Sequence, residues 1–148
     1  MVIGIFGESC VGKSTLAETI KQRIHAHIYT GKDYLRLAKS EAIAKKLFAK
    51  QLQEAICGDS IIYVISEKDD LSLLPENAIR ILVTADLEVI KARFAARMRG
   101  NLPVPVEKML EKKHGCFNNE RHDIHIEAGK EDECTICDHI AKIINTQL

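Results

Sequence analysis

The run Gly7-Glu8-Ser9-Cys10-Val11-Gly12-Lys13-Ser14-Thr15 sets two glycines, a lysine and two hydroxyls at the spacing G-x-x-x-x-G-K-[ST]. Glycines at both ends allow a short loop to turn successive backbone N–H groups inward, where they can surround the oxygens of an anion. The amides would come from Ser9, Cys10 and Val11 as well as from Gly7 and Gly12, and side chains at the glycines would block the approach. A lysine right after the second glycine adds a mobile positive charge, and the next hydroxyl can ligate a hard divalent cation. This is the chemistry of a polyphosphate held with Mg²⁺. Lys13 would reach the β- and γ-phosphates, Ser14 would sit on the metal, and Thr15 would help hold the α-phosphate.

Such a loop needs a strand before it and a helix after it. Val2 to Phe6 is an apolar run that suits a buried strand, and Leu16, Ala17, Ile20 and Ile24 follow at helical spacing. The helix N-terminus would then add its partial positive charge to the loop. A short strand at His27 to Tyr29 leads into a long helical pattern with Leu35, Ala38, Ala42, Ile43, Leu47, Leu52 and Ile56 on one face and Gly58 as its C-terminal cap. Ser60 to Ile65 and Ile79 to Thr84 lack polar alternation, as strands covered on both faces do. From Asp86 the helical period returns, with Leu87, Ile90, Phe94 and Met98 as the buried stripe and Lys91, Arg93, Arg97 and Arg99 outside it. Gly100, Pro103 and Pro105 break that helix, and Pro105 suits the first turn of another reaching about His114. Asp123 to Ile126 reads as a last strand, and a helix from about Asp132 carries Ile136, Ile140, Ile143 and Ile144. Alternation of this kind predicts a three-layer α/β/α fold around a parallel sheet.

With 148 residues, 46% of them hydrophobic, the chain suffices for a single domain with its own core. Its 21 basic and 21 acidic residues cancel, so no global field would draw it to nucleic acid or an anionic membrane. The apolar N-terminal run is too short for a secretory signal, and no stretch is long enough to span a bilayer. The five cysteines are accordingly read as reduced thiols and the cytoplasm as the expected location. Cys134-x-x-Cys137, with Cys116, His114, His122 and His125 not far away in sequence, raises the question of zinc; without a second such pair the reading is against it.

The early phosphate loop, the Thr30-Gly31 turn, the long second helix and the arginine-rich fourth segment resemble the P-loop nucleoside monophosphate kinase-like family over nearly the whole chain. That resemblance implies a five-stranded parallel sheet in the order 2-3-1-4-5. In adenylate kinases the second strand runs into Thr-Gly-Asp-x-Leu-Arg, and this chain has Thr30-Gly31-Lys32-Asp33-Tyr34-Leu35-Arg36, with one residue inserted. By that likeness Thr30 and Arg36 would meet an acceptor nucleotide, within acceptor-binding helices at about 30–57. Arg36 could equally be a solvated helix residue. The likeness to shikimate-type kinases makes Asp33 a candidate to hold an acceptor hydroxyl, with helix capping as its other reading. A short lid at about 97–105 would place Arg93 and Arg97 over the transferring phosphoryl group, although a solvated basic face is the plainer alternative. Relatives orient Mg²⁺ with an acid after the third strand, and here Glu67 is the first choice and Asp69 the second. Similarity to cytidylate kinase-like proteins would put residues near 128–130 beside the adenine.

The expected activity is transfer of the γ-phosphoryl group of ATP to a small acceptor, first a nucleoside monophosphate and next a hydroxyl compound such as a nucleoside, a shikimate-like acid or an antibiotic. A nucleotide-dependent switch without turnover is the competing reading, although the Asn-Lys-x-Asp base-recognition motif of GTPases is absent from the sequence.

Overall fold

The computed structural model describes residues 1–129 and 133–147. Five parallel strands form one sheet: β1 Val2–Phe6, β2 His27–Thr30, β3 Ile61–Ile65, β4 Ile79–Thr84 and β5 Ile124–Glu127. Their order is β2-β3-β1-β4-β5. The helices are α1 Lys13–Ile24, α2 Glu41–Ala55, α3 Leu87–Arg97, α4 Val104–Lys113 and α5 Glu133–Gln147. Every residue of β1 and β3 is buried, which explains why neither strand alternates with polar residues. No helix among the described residues is long and apolar enough to cross a membrane.

The period-two geometry of a strand sends successive side chains to opposite faces, and two cores result. Ile3, Ile5, Val64, Ile81 and Val83 pack with Leu16, Ile20, Ile90 and Ile140 on one face. Val2, Phe6, Tyr63, Ile65 and Leu82 pack with Phe48, Leu52, Tyr34 and Phe117 on the other. The chain passes from the first face to the second between Leu110 of α4 and Phe117, whose ring lies 5.8 Å from that of Phe6.

The segment after β2 departs from the helix expected there. It divides into a short 3-10 helix, Asp33–Leu37, and α2, which Ser40 caps by accepting the Ile43 N–H at 3.5 Å. The buried stripe of α2 is Ala44, Phe48, Leu52 and Ala55, whereas Leu35, Ile43 and Leu47 are 42%, 54% and 44% exposed. An aromatic cluster explains that rotation. The Phe48 ring meets Tyr63 edge-on at 4.9 Å, stacks on Tyr34 at 5.6 Å and lies 5.3 Å from Tyr29, so it faces the sheet with Leu52, and Ile43 and Leu47 do not. Gly58 lies beyond the end of α2, where Ile56 is the capping residue. Of the stripe expected on α3 only Ile90 is fully buried, and Met98 is exposed because the chain leaves the helix through left-handed residues at Arg99 and Gly100.

Candidate functional site

The strands run parallel, so β1, β2 and β3 release their following loops at the same edge of the sheet, where ligands of open α/β sheets gather. Gly7 leaves β1 with its N–H donated to the Ile65 carbonyl at 3.3 Å. A Cβ on Gly7 would come within 2.2 Å of the Val83 carbonyl oxygen, so the close neighbour that demands glycine here is the backbone of β4. At the other end Gly12 has φ +101, in the left-handed region, and opens α1. Between them Cys10, buried, also adopts a left-handed φ of 65.

Lys13 is 5% exposed, and its Nζ donates to the carbonyls of Gly7 at 2.8 Å and Glu8 at 2.5 Å. The lysine thus folds back into the cradle formed by its own loop. Burial lowers its pKa to about 8, with Arg97 adding to the depression and Cys10 and Glu8 opposing it. Ser14 and Thr15 are exposed in the first turn of α1. Ser9 lies half-buried and Val11 is packed in the core below the loop.

From α3, Arg93 donates from Nη1 to the Cys10 carbonyl at 3.1 Å. Arg93 and Arg97, one turn apart, line a cavity of about 410 Å³ with Gly12, Thr15, Ala128 and Gly129. The cavity therefore runs from the phosphate loop to the loop after β5. Ala128 and Gly129, which the resemblance expected beside a base, are among its lining residues, and Lys130 falls outside the described residues.

At the ends of β2 and β3 the residues are joined differently from expectation. The Asp33 carboxylate accepts the Thr30 backbone N–H at 2.9 Å, a turn-closing bond that fixes it at the strand's end. Arg36 is exposed on the 3-10 helix, and no hydrogen bond or ion pair among the described residues links it to the others. Glu67 is exposed and lies 3.7 Å from the Lys32 ammonium. That ammonium bonds more closely to Asp70, at 2.7 Å, and Asp70 is only 2% exposed. The hydrogen bond that Lys32 donates to Asp70 raises the Lys32 pKa, and burial beside the same acid raises that of Tyr63. Asp69 is exposed and contributes its carbonyl to the Ser72 hydroxyl. Neither Asp70 nor Lys32 was singled out from the sequence. Lys32 is the residue inserted relative to the adenylate kinase pattern, and that oddity was the one available signal.

Glu8 was missed as well. Its carboxylate, 11% exposed, lies 3.1 Å from His114 Nδ1 and accepts the Gly115 N–H at 3.2 Å. Only its charge, unusual inside a phosphate loop, could have drawn notice. Among the described residues no three His, Cys, Asp or Glu side chains are grouped to hold a metal ion, and the side chains of Cys134 and Cys137 lie outside them.

The depressed pKa of Lys13 has a measurable consequence. Phosphate oxygens around the ammonium would stabilise its charged form, so binding above about pH 8 must take up a proton that the free protein has lost. The affinity for a magnesium triphosphate is expected to be level through this group below pH 8 and to fall by up to about tenfold per pH unit above it. Isothermal titration calorimetry from pH 6.5 to 9.5, in buffers of different ionisation enthalpy, measures both the fall and the proton uptake.

No protein-family model matches the chain, and no curated protein matches it. Solved structures do. The YorR protein of Bacillus subtilis in complex with phosphorylated GDP is similar at TM-score 0.67 and 21% identity, over 99% of this chain and 97% of that one. Shikimate kinase from Acinetobacter baumannii in complex with shikimate is similar at TM-score 0.63 and 13% identity, over 99% and 93%. Deoxyadenosine kinase from M. mycoides with bound dATP is similar at TM-score 0.59 and 20% identity, over 98% and 100%. Together with the strand order and the loop between β1 and α1, these likenesses assign the chain the P-loop nucleoside monophosphate kinase-like fold.

Proposed function

We propose that the chain is an ATP-dependent phosphotransferase acting on a small acceptor, with a nucleoside monophosphate as the first candidate. The observation that carries this reading is one cavity lined by Cys10, Val11, Gly12 and Thr15 together with two α3 arginines, beside a buried Lys13 that folds back onto the carbonyls of the same loop. The loop amides from Gly7 to Thr15 and the N-terminus of α1 would hold the phosphates. Lys13 would leave its two carbonyl partners for the β- and γ-oxygens. Arg93 and Arg97 would neutralise charge on the transferring group, and the turn at 97–105 would act as a short lid that excludes water. Catalysis would then be chiefly positioning and charge stabilisation.

The donor set suits Mg²⁺, since the Ser14 hydroxyl and the carboxylates of Glu67 and Asp70 are all hard oxygens. Mg²⁺ would neutralise the phosphate oxygens, with Ser14 as its ligand and Glu67 orienting its water. Lys32 pairs with Asp70 at 2.7 Å and more loosely with Glu67 at 3.7 Å, which supports placing both acids at that end of the sheet.

A hydroxyl acceptor is the second reading, favoured by the Asp33 carboxylate held at the end of β2 by the Thr30 amide. A positioned carboxylate can take the proton of an attacking hydroxyl, whereas a phosphate acceptor needs cations such as Arg36. Steady-state assays on Arg36→Ala and Asp33→Ala separate the two. Under the nucleotide reading Arg36→Ala lowers kcat/KM by about 10²-fold and Asp33→Ala by much less; the reverse ranking supports a hydroxyl acceptor. Nucleotide binding with no phosphorylated product across nucleoside monophosphates, nucleosides and small alcohols would replace both with a non-catalytic switch.

A further inference from the structure

Three polar ties close a triangle around the phosphate loop. Arg93 of α3 holds the Cys10 carbonyl at 3.1 Å. Lys91, on the same helix, reaches across to Glu107 at 3.3 Å and Glu111 at 2.7 Å of α4. The Glu8 carboxylate then returns from the loop to the end of α4, through His114 at 3.1 Å and the Gly115 N–H at 3.2 Å. The third side differs from the others in joining the loop to a turn just before the chain crosses the sheet edge to bury Phe117. It is also the side with a mechanical link to the ligand site, because the carbonyl of this same Glu8 accepts from Lys13 Nζ at 2.5 Å.

We infer that Glu8 is a positioning residue that couples the loading of the phosphate loop to the turn at 114–118. When phosphate oxygens take the Lys13 ammonium, the Glu8 peptide loses its donor and is free to adjust, while its carboxylate keeps hold of Gly115. Occupancy of the loop is thereby passed to the turn whose His114 and Asn118 line a neighbouring cavity with Glu8. A carboxylate placed next to a polyphosphate would otherwise repel it, and the Gly115 N–H and His114 supply the compensating donors. The coupling deepens the phosphotransferase reading and rests on it only where nucleotide is added.

Hydrogen exchange of the Gly115 amide, followed by mass spectrometry on the 114–118 segment with and without a magnesium-bound non-hydrolysable ATP analogue, tests the inference. In the unaltered protein the analogue is expected to change exchange at Gly115 by about fivefold or more. Glu8→Ala is expected to raise exchange there by about tenfold without nucleotide and to abolish the response to it. Glu8→Gln, whose amide oxygen still accepts from Gly115, is expected to restore both, and His114→Ala, which spares the Gly115 bond, to fall between. A thermal melt on each variant separates a loose turn from an unfolded chain. Unchanged Gly115 exchange in folded Glu8→Ala overturns the tie, and a bound analogue that leaves the unaltered turn unmoved overturns the coupling. If no triphosphate binds, the phosphotransferase reading and the coupling fail together, while the nucleotide-free arm still decides whether Glu8 holds the turn.

Discussion

Lys13→Met is expected to remove phosphoryl transfer by a factor on the order of 10³ in kcat/KM while leaving the protein as stable as before or more so. The first half follows from the position of Lys13 in the cradle and from what deleting one charge-stabilising donor costs elsewhere, about 10²–10³-fold, with loss of ground-state phosphate contacts added. The second half follows from the lysine's own burial. An ammonium that is 5% exposed and has its pKa lowered to about 8 is disfavoured in the free protein, although two loop carbonyls accept from it and Cys10 and Glu8 oppose the depression. Methionine matches the stem, removes the buried charge and leaves those carbonyls the weaker groups to satisfy. A coupled kinase assay together with thermal denaturation reads both halves. Activity within tenfold of the unaltered protein would show that the loop is not where chemistry occurs.

Gly7→Ala is expected to fail for a different reason, by unfolding. The added methyl would sit 2.2 Å from the Val83 carbonyl oxygen, a backbone atom inside a strand paired on both sides, and neither partner can yield without parting β1 from β4. Overpacking against a rigid neighbour costs about 3 kcal/mol, which for a chain of this size lowers Tm by roughly 6–12 °C. Gly100→Ala serves as the control, since no atom lies within 4 Å of its would-be Cβ and only the strain of its positive φ is felt. Differential scanning fluorimetry on the two variants distinguishes a steric demand of the sheet from a general intolerance of alanine. Equal, small shifts would remove the steric account.

The turn between β1 and α1 was legible because two glycines at that spacing end a buried strand and open a helix, and β1, β3 and β4 were legible because strands covered on both faces carry apolar runs. The strand order came from resemblance, since local pattern does not fix which strand lies next to which. The rotation of α2 was misread because Leu35, Ile43 and Leu47 are more hydrophobic than the alanines that replace them at the interface. The contact is decided by one aromatic ring, Phe48, in a cluster whose members are far apart in the chain. Glu8, Lys32 and Asp70 escaped notice for the same kind of reason. Their partners, His114 with Gly115, Asp70, and Lys32 in turn, are distant in sequence, and a charge that will be paired looks no different there from a solvated one. Arg93 and Arg97 were proposed from the resemblance, and spacing added only that one helix face carries both.

The order β2-β3-β1-β4-β5 has a consequence for how the protein comes to be made. On leaving the ribosome, β1 and β2 have no strand to pair with: the place between them belongs to β3, and the far side of β1 to β4. The Gly7 N–H likewise waits for the carbonyl of Ile65. Contacts of such separation form late and slowly. The amide that opens the glycine-rich segment therefore has its native partner only once β3 has been synthesised and set beside β1.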